Sequence, residues 1–201
     1  MELDRAIRTR RMVRSFSDTP VTPDVVDNLV DLARRAPSAG NAQGCRFLVL
    51  DTPGDVDRYW ARTLDPDRRA SFRWQSLVTA PVLIVVAVRP ETYVERYAEA
   101  DKAHTGLGES EGSWPVPYWW VDAGAAIEHI LLGAVDAGLG ACLFGLFAHE
   151  AAVAEEFGVD PRWRLAGTIA IGHRAADSPG RSSSRERRPL GEVLMRGNWK
   201  S

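Results

Sequence analysis

Four short apolar runs separated by helix-period segments predict an α/β or α+β domain built around one mixed sheet with helices packed on it. The runs are residues 46–50, 81–89, 141–147 and 164–172. A length of 201 residues with 45% hydrophobic and 26% charged residues suits one domain over 1–201 with a well-buried core. No stretch is long and apolar enough for a membrane span, and the start lacks the apolar centre of a signal peptide, so a cytoplasmic setting is expected.

Residues 2–11 read as a short amphipathic helix with Leu3, Ala6 and Ile7 on one side. Thr22-Pro23-Asp24 is a helix start: Thr as cap, Pro at the first position, an acid in the first turn. Val25, Val26, Leu29, Val30, Leu32 and Ala33 supply its apolar face, and Pro37 stops it. Residues 55–74 are polar and helical in part, interrupted by Pro66. The run at 81–89 reads as a fully buried strand. Between about 90 and 120 the periodicity fails. A short charged helix leads into a segment rich in Gly, Pro and aromatics, the composition of a variable lid or substrate insert. Residues 122–137, dominated by Ala, Gly, Ile and Leu, predict a central, tightly packed helix, and 151–157 a short one. A Ser-rich linker then leads into a basic arm at 178–201.

Several chemistries are excluded. The two cysteines, Cys45 and Cys142, form no CxxC pair and give no disulfide framework; they read as packing residues. His104, His129, His149 and His173 share no metal-ligand spacing, so no metal site is expected. Gly138-Leu139-Gly140 follows a helix and precedes a strand, the wrong order for a dinucleotide turn. Ser182 to Ser184 lack a nucleophile elbow. A net charge of −2 argues against nucleic acid as partner. With no Ser/His/Asp or Cys/His set, any catalysis falls to a bound cofactor.

Two features point to a small anion. Arg8, Arg10, Arg11 and Arg14 crowd into RTRRMVR, and guanidinium groups suit bidentate phosphate contacts. The turn Ser38-Ala39-Gly40-Asn41 has small side chains that would let backbone N–H groups approach a ligand, with Asn41 and Gln43 offering amides. Arg185, Arg187 and Arg188 form a second cluster near the other end. Taken singly, each reads more readily as a solvated face or a plain connection.

RTRRMVRSF, followed by APSAGNAQGCRF and a strand, resembles the N-terminal third of the nitroreductase family of FMN-dependent oxidoreductases. GAAIEHILLGAVDAGLGACLFGLF is similar to that family's central helix and Gly-rich strand, and RERRPLGEVL to its C-terminal basic segment. The resemblance implies an α+β fold with a central mixed, mainly antiparallel sheet and an intertwined homodimer carrying FMN at the subunit interface. It implies NADPH or NADH as donor, ping-pong hydride transfer through flavin N5, and nitroaromatic, quinone or related planar acceptors. It assigns Arg10 and Arg11, with Met12 beside them, to phosphate or ribityl oxygens, and Arg14 to flavin N1 and O2. Pro37, Ser38, Ala39, Gly40, Asn41 and Gln43 come from the partner subunit, with Asn41 hydrogen-bonding the flavin. Phe144, Gly145 and Leu146 pass beside the isoalloxazine, while Arg185 and Arg187 match phosphate ligands. No side chain need act as catalyst; Arg14 and Gly145 tune the flavin.

Trp114, Tyr118, Trp119 and Trp120 either wall the acceptor pocket or bury themselves in a dimer interface. Two departures stand out: Met12 replaces a usual Ser, and Gly44-Cys45 stands where the family has Pro-Trp, which opens space beside the pocket. Alternatives on the same scaffold are a flavin-dependent dehydrogenase, oxidase or dehalogenase of a specialised metabolite, or a non-catalytic flavin-binding protein. A flavin-destroying activity ranks lower, because SAGNAQG is not that group's apolar turn.

Overall fold

The computed structural model of the chain describes residues 1–176, 180 and 184–199; Ser182 and Ser183 of the Ser-rich linker lie outside them. In chain order the elements are α1 (Leu3–Thr9), α2 (Pro23–Ala33), β1 (Cys45–Leu50), α3 (Pro53–Thr63), α4 (Pro66–Arg69), β2 (Val82–Val88), α5 (Pro90–Tyr97), α6 (Tyr118–Asp136), β3 (Gly140–Phe144), α7 (Glu150–Glu156), β4 (Arg164–Gly172) and α8 (Leu190–Val193). The fold is α+β. Among the described residues one sheet has order β1-β2-β4-β3, and its three strand pairings are all antiparallel.

β2 organises the molecule. All seven of its residues are buried because helices cover both faces, and its side chains alternate between two cores. Val82, Ile84, Val86 and Val88 face the layer of α2 and α6, where Val26, Leu29, Ile127 and Ile130 pack. Leu83, Val85 and Ala87 face the other layer, with Tyr59 and Trp60 of α3 and Val153 of α7. A register shift between Val86 and Ala87 leaves Ala166 as the extra residue of β4. α6 needs its small residues: a Cβ on Gly133 would lie 2.8 Å from Leu29 Cδ2 and 2.9 Å from Leu32 Cδ1.

The free edge of β3 is covered by the arginine-rich segment. Met12 bridges Ala141 in parallel, giving the sheet its one parallel contact among the described residues, and Val13 N–H donates to Ala141 O at 2.9 Å. Phe16 then bridges Arg174. Position 140 must be glycine here, since a Cβ would meet Val13 Cγ1 at 2.9 Å.

Three boundaries differ from the sequence expectation. Thr22 occupies the cap position of α2 but its hydroxyl caps nothing; Thr52, which the sequence reading passed over, caps α3 by accepting from Asp55 N–H at 3.2 Å. α6 begins at Tyr118, not 122, because Pro117 sets its first turn and Trp119 buries against Tyr93. The third strand ends at Phe144 rather than Phe147, where the backbone turns into a 3₁₀ turn at Phe147–His149. Among the described residues no helix is long and apolar enough to cross a membrane.

Candidate functional site: two cavities at the sheet margins

The first cavity, of about 280 Å³, lies where the arginine segment meets the end of β3. Arg14, Phe144, Gly145 and Leu146 all line it, so residues 130 positions apart in sequence meet there. Its walls are aromatic. Trp60 stacks on Phe144 with centroids 5.7 Å apart and planes 17° off parallel. The Arg14 guanidinium lies 5.3 Å from the Trp74 ring centroid, and that of Arg73 lies 4.4 Å from it. Tyr59, behind Trp60, donates its buried hydroxyl to Thr168 Oγ1 at 2.8 Å. Phe72 completes the wall.

The other members of the arginine segment spread along the same edge. Arg10 Nε is 3.1 Å from Glu128 Oε1, whereas Arg11 is exposed and donates Nη1 to the carbonyls of Arg8 and Arg10 at 2.8 Å. Met12, at the position of the family serine, turns back to the sheet: its Sδ accepts Leu143 N–H at 3.4 Å and its side chain packs on both cores. Leu146 is 4% exposed, so its side chain belongs to the core. Gly145 keeps a bare backbone at the cavity, and a Cβ there would strike the Phe147 ring at 2.9 Å. Phe147 itself is 90% exposed and holds φ +46°.

The second cavity, of about 100 Å³, lies under the turn and is lined by Pro37, Ser38, Gln43, Gly44, Cys45 and Asp122 among others. Gly44 and Cys45 both line it, and it shares no lining residue with the first cavity. Gly44 is required, since the ring of Tyr93 would sit 2.3 Å from a Cβ at this position. Burial pushes the Cys45 thiol up to about 11, with the Asp122 carboxylate adding to the shift. Burial likewise raises the Tyr93 phenol, with the neighbouring Asp122 carboxylate adding to the shift.

The turn does not present its backbone as expected. Ala39 N–H donates to Asp122 Oδ2 at 2.9 Å, Asn41 N–H to Ser38 O at 2.8 Å, Ala42 N–H to Ala39 O at 3.1 Å, and Gln43 N–H to Ser38 Oγ at 3.0 Å. Three of these donors bond within the turn, and the fourth, Ala39 N–H, is taken by Asp122 of α6. What faces outward are the exposed side chains of Asn41 and Gln43, while the Ser38 hydroxyl is turned back onto the turn.

Two of the four aromatic substrate candidates are core residues. Trp114 and Trp119 are 7% and 6% exposed and pack within the chain against Tyr93, with ring centroids 6.0 Å away in each case. Helical spacing explains the split: Trp119 takes the buried face of α6, while Tyr118 and Trp120 stay exposed. Arg185 and Arg187 are exposed and line neither cavity. Phe72, Arg73 and Trp74 were missed by sequence reasoning; their signal was a cluster of rings inside an otherwise polar stretch. No group of three His, Cys, Asp or Glu side chains that could hold a metal occurs among the described residues.

A four-stranded antiparallel sheet with a buried central helix, an arginine-lined edge and an aromatic cavity at the strand end defines an α+β class. The profile of the nitroreductase family matches residues 7–173, and the chain belongs to that family. It is 30% identical over 213 residues to a 4-nitrobenzoate reductase of a Nocardioides strain, covering 93% of this chain and 86% of that protein. Among solved structures it is similar to a Desulfovibrio desulfuricans nitroreductase crystallised with FMN: 28% identity, TM-score 0.72, 100% and 99% of the two chains covered. NfrA2 of B. megaterium shares the fold at 19% identity and TM-score 0.75, over 100% of this chain and 76% of that one.

Proposed function

We propose that this chain, an FMN-dependent oxidoreductase of the nitroreductase family, uses NADPH or NADH to reduce nitroaromatic, quinone or related planar acceptors. The observation that carries the reading is the meeting of Arg14 with Phe144, Gly145 and Leu146 at one aromatic-walled cavity. The residues present fit the cofactor: a guanidinium edge for a phosphate and for an electron-rich ring edge, and a bare backbone at Gly145. The 4-nitrobenzoate reductase relative supports a nitroaromatic acceptor.

When bound, FMN would supply the redox chemistry that couples the nicotinamide donor to the acceptor. The protein's own residues bind and orient. Arg10 and Arg11 hold the phosphate and ribityl end, joined by Arg185 and Arg187 of the C-terminal arm. Arg14, steadied by Trp74, places positive charge beside the pyrimidine edge, where it favours the reduced cofactor. Trp60 and Phe144, stacked on one another, wall the cavity. Asn41, Ser38 and Gln43 meet the cofactor from a second copy of the chain, so the working unit is a homodimer. Tyr118 and Trp120 remain as the aromatic contacts for a planar acceptor. The whole chain, 1–201, acts as one domain with its arm, in a reducing cytoplasm.

The test is the visible absorbance spectrum of the purified protein before and after anaerobic NADPH, then after 4-nitrobenzoate or a quinone. A flavin spectrum that bleaches and returns is expected. A colourless protein that takes up no added FMN overturns the reading.

A further inference from the structure

The turn that begins at Ser38 is gripped from outside by two charged side chains that belong to neither sequence motif. Asp122, early in α6 and 7% exposed, accepts Ala39 N–H at 2.9 Å. Arg96, on α5, donates Nε–H to Gly40 O at 2.8 Å. Arg96 is itself fixed, since both its Nη groups donate to the Asp101 carboxylate at 2.8 Å. The two anchors therefore fix an N–H and a C=O on consecutive residues, one from each of two helices.

What they hold is an unfavourable conformation. Gly40, Asn41 and Gln43 lie in the left-handed region at φ 60°, 56° and 54°. Non-glycine residues there cost energy and persist only where the surroundings over-determine them. A glycine is required at position 40, since the Tyr97 ring leaves 2.7 Å to a Cβ. Burying the Asp122 carboxylate with a backbone amide as partner also costs desolvation. Strain and a buried carboxyl group converge on one short turn whose outward side chains are Asn41 and Gln43.

We propose that Asp122 and Arg96 are positioning residues that keep this turn pre-formed for the cofactor, so that its side chains meet FMN without an ordering cost on binding. The proposal rests on the reading that the turn contacts FMN. Asp122 acts through the Ala39 amide and Arg96 through the Gly40 carbonyl; neither touches the reacting atoms.

Two measurements on the full chain test this with Asp122→Ala, Asp122→Asn and Arg96→Gln. The first is FMN affinity by fluorescence quenching; the second is amide hydrogen exchange of the apoprotein. Asp122→Ala is expected to weaken FMN binding about tenfold, and Asp122→Asn, which keeps an acceptor oxygen in place, to recover most of that loss. Exchange should rise about tenfold at residues 39–43 in Asp122→Ala and Arg96→Gln, while β2 stays protected. Arg96→Gln keeps the proposal testable should Asp122→Ala not fold. Wild-type affinity in Asp122→Ala and Arg96→Gln, or unchanged exchange at the turn, overturns the proposal while leaving the functional reading intact. A wild-type chain that takes up no FMN overturns both.

Discussion

Arg14 is the residue on which the proposed chemistry turns, and its surroundings show why arginine is there. Its guanidinium lies over Trp74 and lines the cavity beside Gly145, a stacked placement that an ammonium would reproduce poorly. Arg14→Ala should therefore weaken FMN binding about tenfold or more, the worth of a charge-assisted contact, as read by the flavin retained on ultrafiltration. Arg14→Lys should recover only part of it. Cys45 makes a separate prediction from its burial. With a pKa of about 11 its thiolate is about 0.1% populated at pH 8, against about a tenth for a thiol at its ordinary value of 9.0. Iodoacetamide labelling of Cys45, followed by mass spectrometry, should be about a hundredfold slower than for free cysteine at pH 8 and should climb up to about pH 11. Arg14 and Gly145 could be read from sequence because they belong to local motifs. Trp74, Asp122 and Arg96 could not, because each acquires its partner only through folding: the Asp122 contact spans 83 residues.

At the level of elements, sequence pattern was most reliable where burial was complete. The run at β2 is apolar throughout because both faces are covered, and β4 was placed at its observed limits. It failed at α6, whose first turn carries Trp119 and Trp120 after Pro117 and so looked like part of an aromatic loop. It also missed how elements are tied together. Arg58 and Arg62 of α3 both donate to Glu156 of α7 at 2.7 Å. Hydrogen bonds from these two arginines, Arg58 first, hold the Glu156 carboxyl below its ordinary value. A carboxylate depressed on folding stabilises the native state above its unfolded pKa, and that contribution fades as pH falls through the lower folded value. Glu156→Gln should therefore melt below wild type at pH 7, and the gap should close as the scan is repeated toward pH 3.

For the molecule as a whole, the exposed apolar side chains are not scattered at random. Leu3 and Ile7 of α1, Val116 and Val121 around the start of α6, and Leu190 and Trp199 of the C-terminal arm remain exposed in the single chain. Such surface suits burial against a second copy, and light scattering after size exclusion should give about twice the 22.2 kDa of one chain. The overall architecture was legible because motif order along the chain is preserved. The separation of the two cavities is readable only through the family resemblance, which assigns the turn to the partner subunit, because no single motif says which residues share a surface.

That separation has a genetic counterpart. If each working site takes its arginine edge from one copy and its turn from another, a subunit defective at Arg14 and a subunit defective at Asn41 are not equivalent losses. Mixed in one dimer, they concentrate both defects in one site and leave the other wholly intact. Co-expression of Arg14→Ala and Asn41→Ala chains should then restore activity to about a quarter of the wild-type sites, although either chain alone is impaired. Intragenic complementation of this kind would be read directly from turnover in the mixed preparation, and its absence would place both halves of the site on one chain.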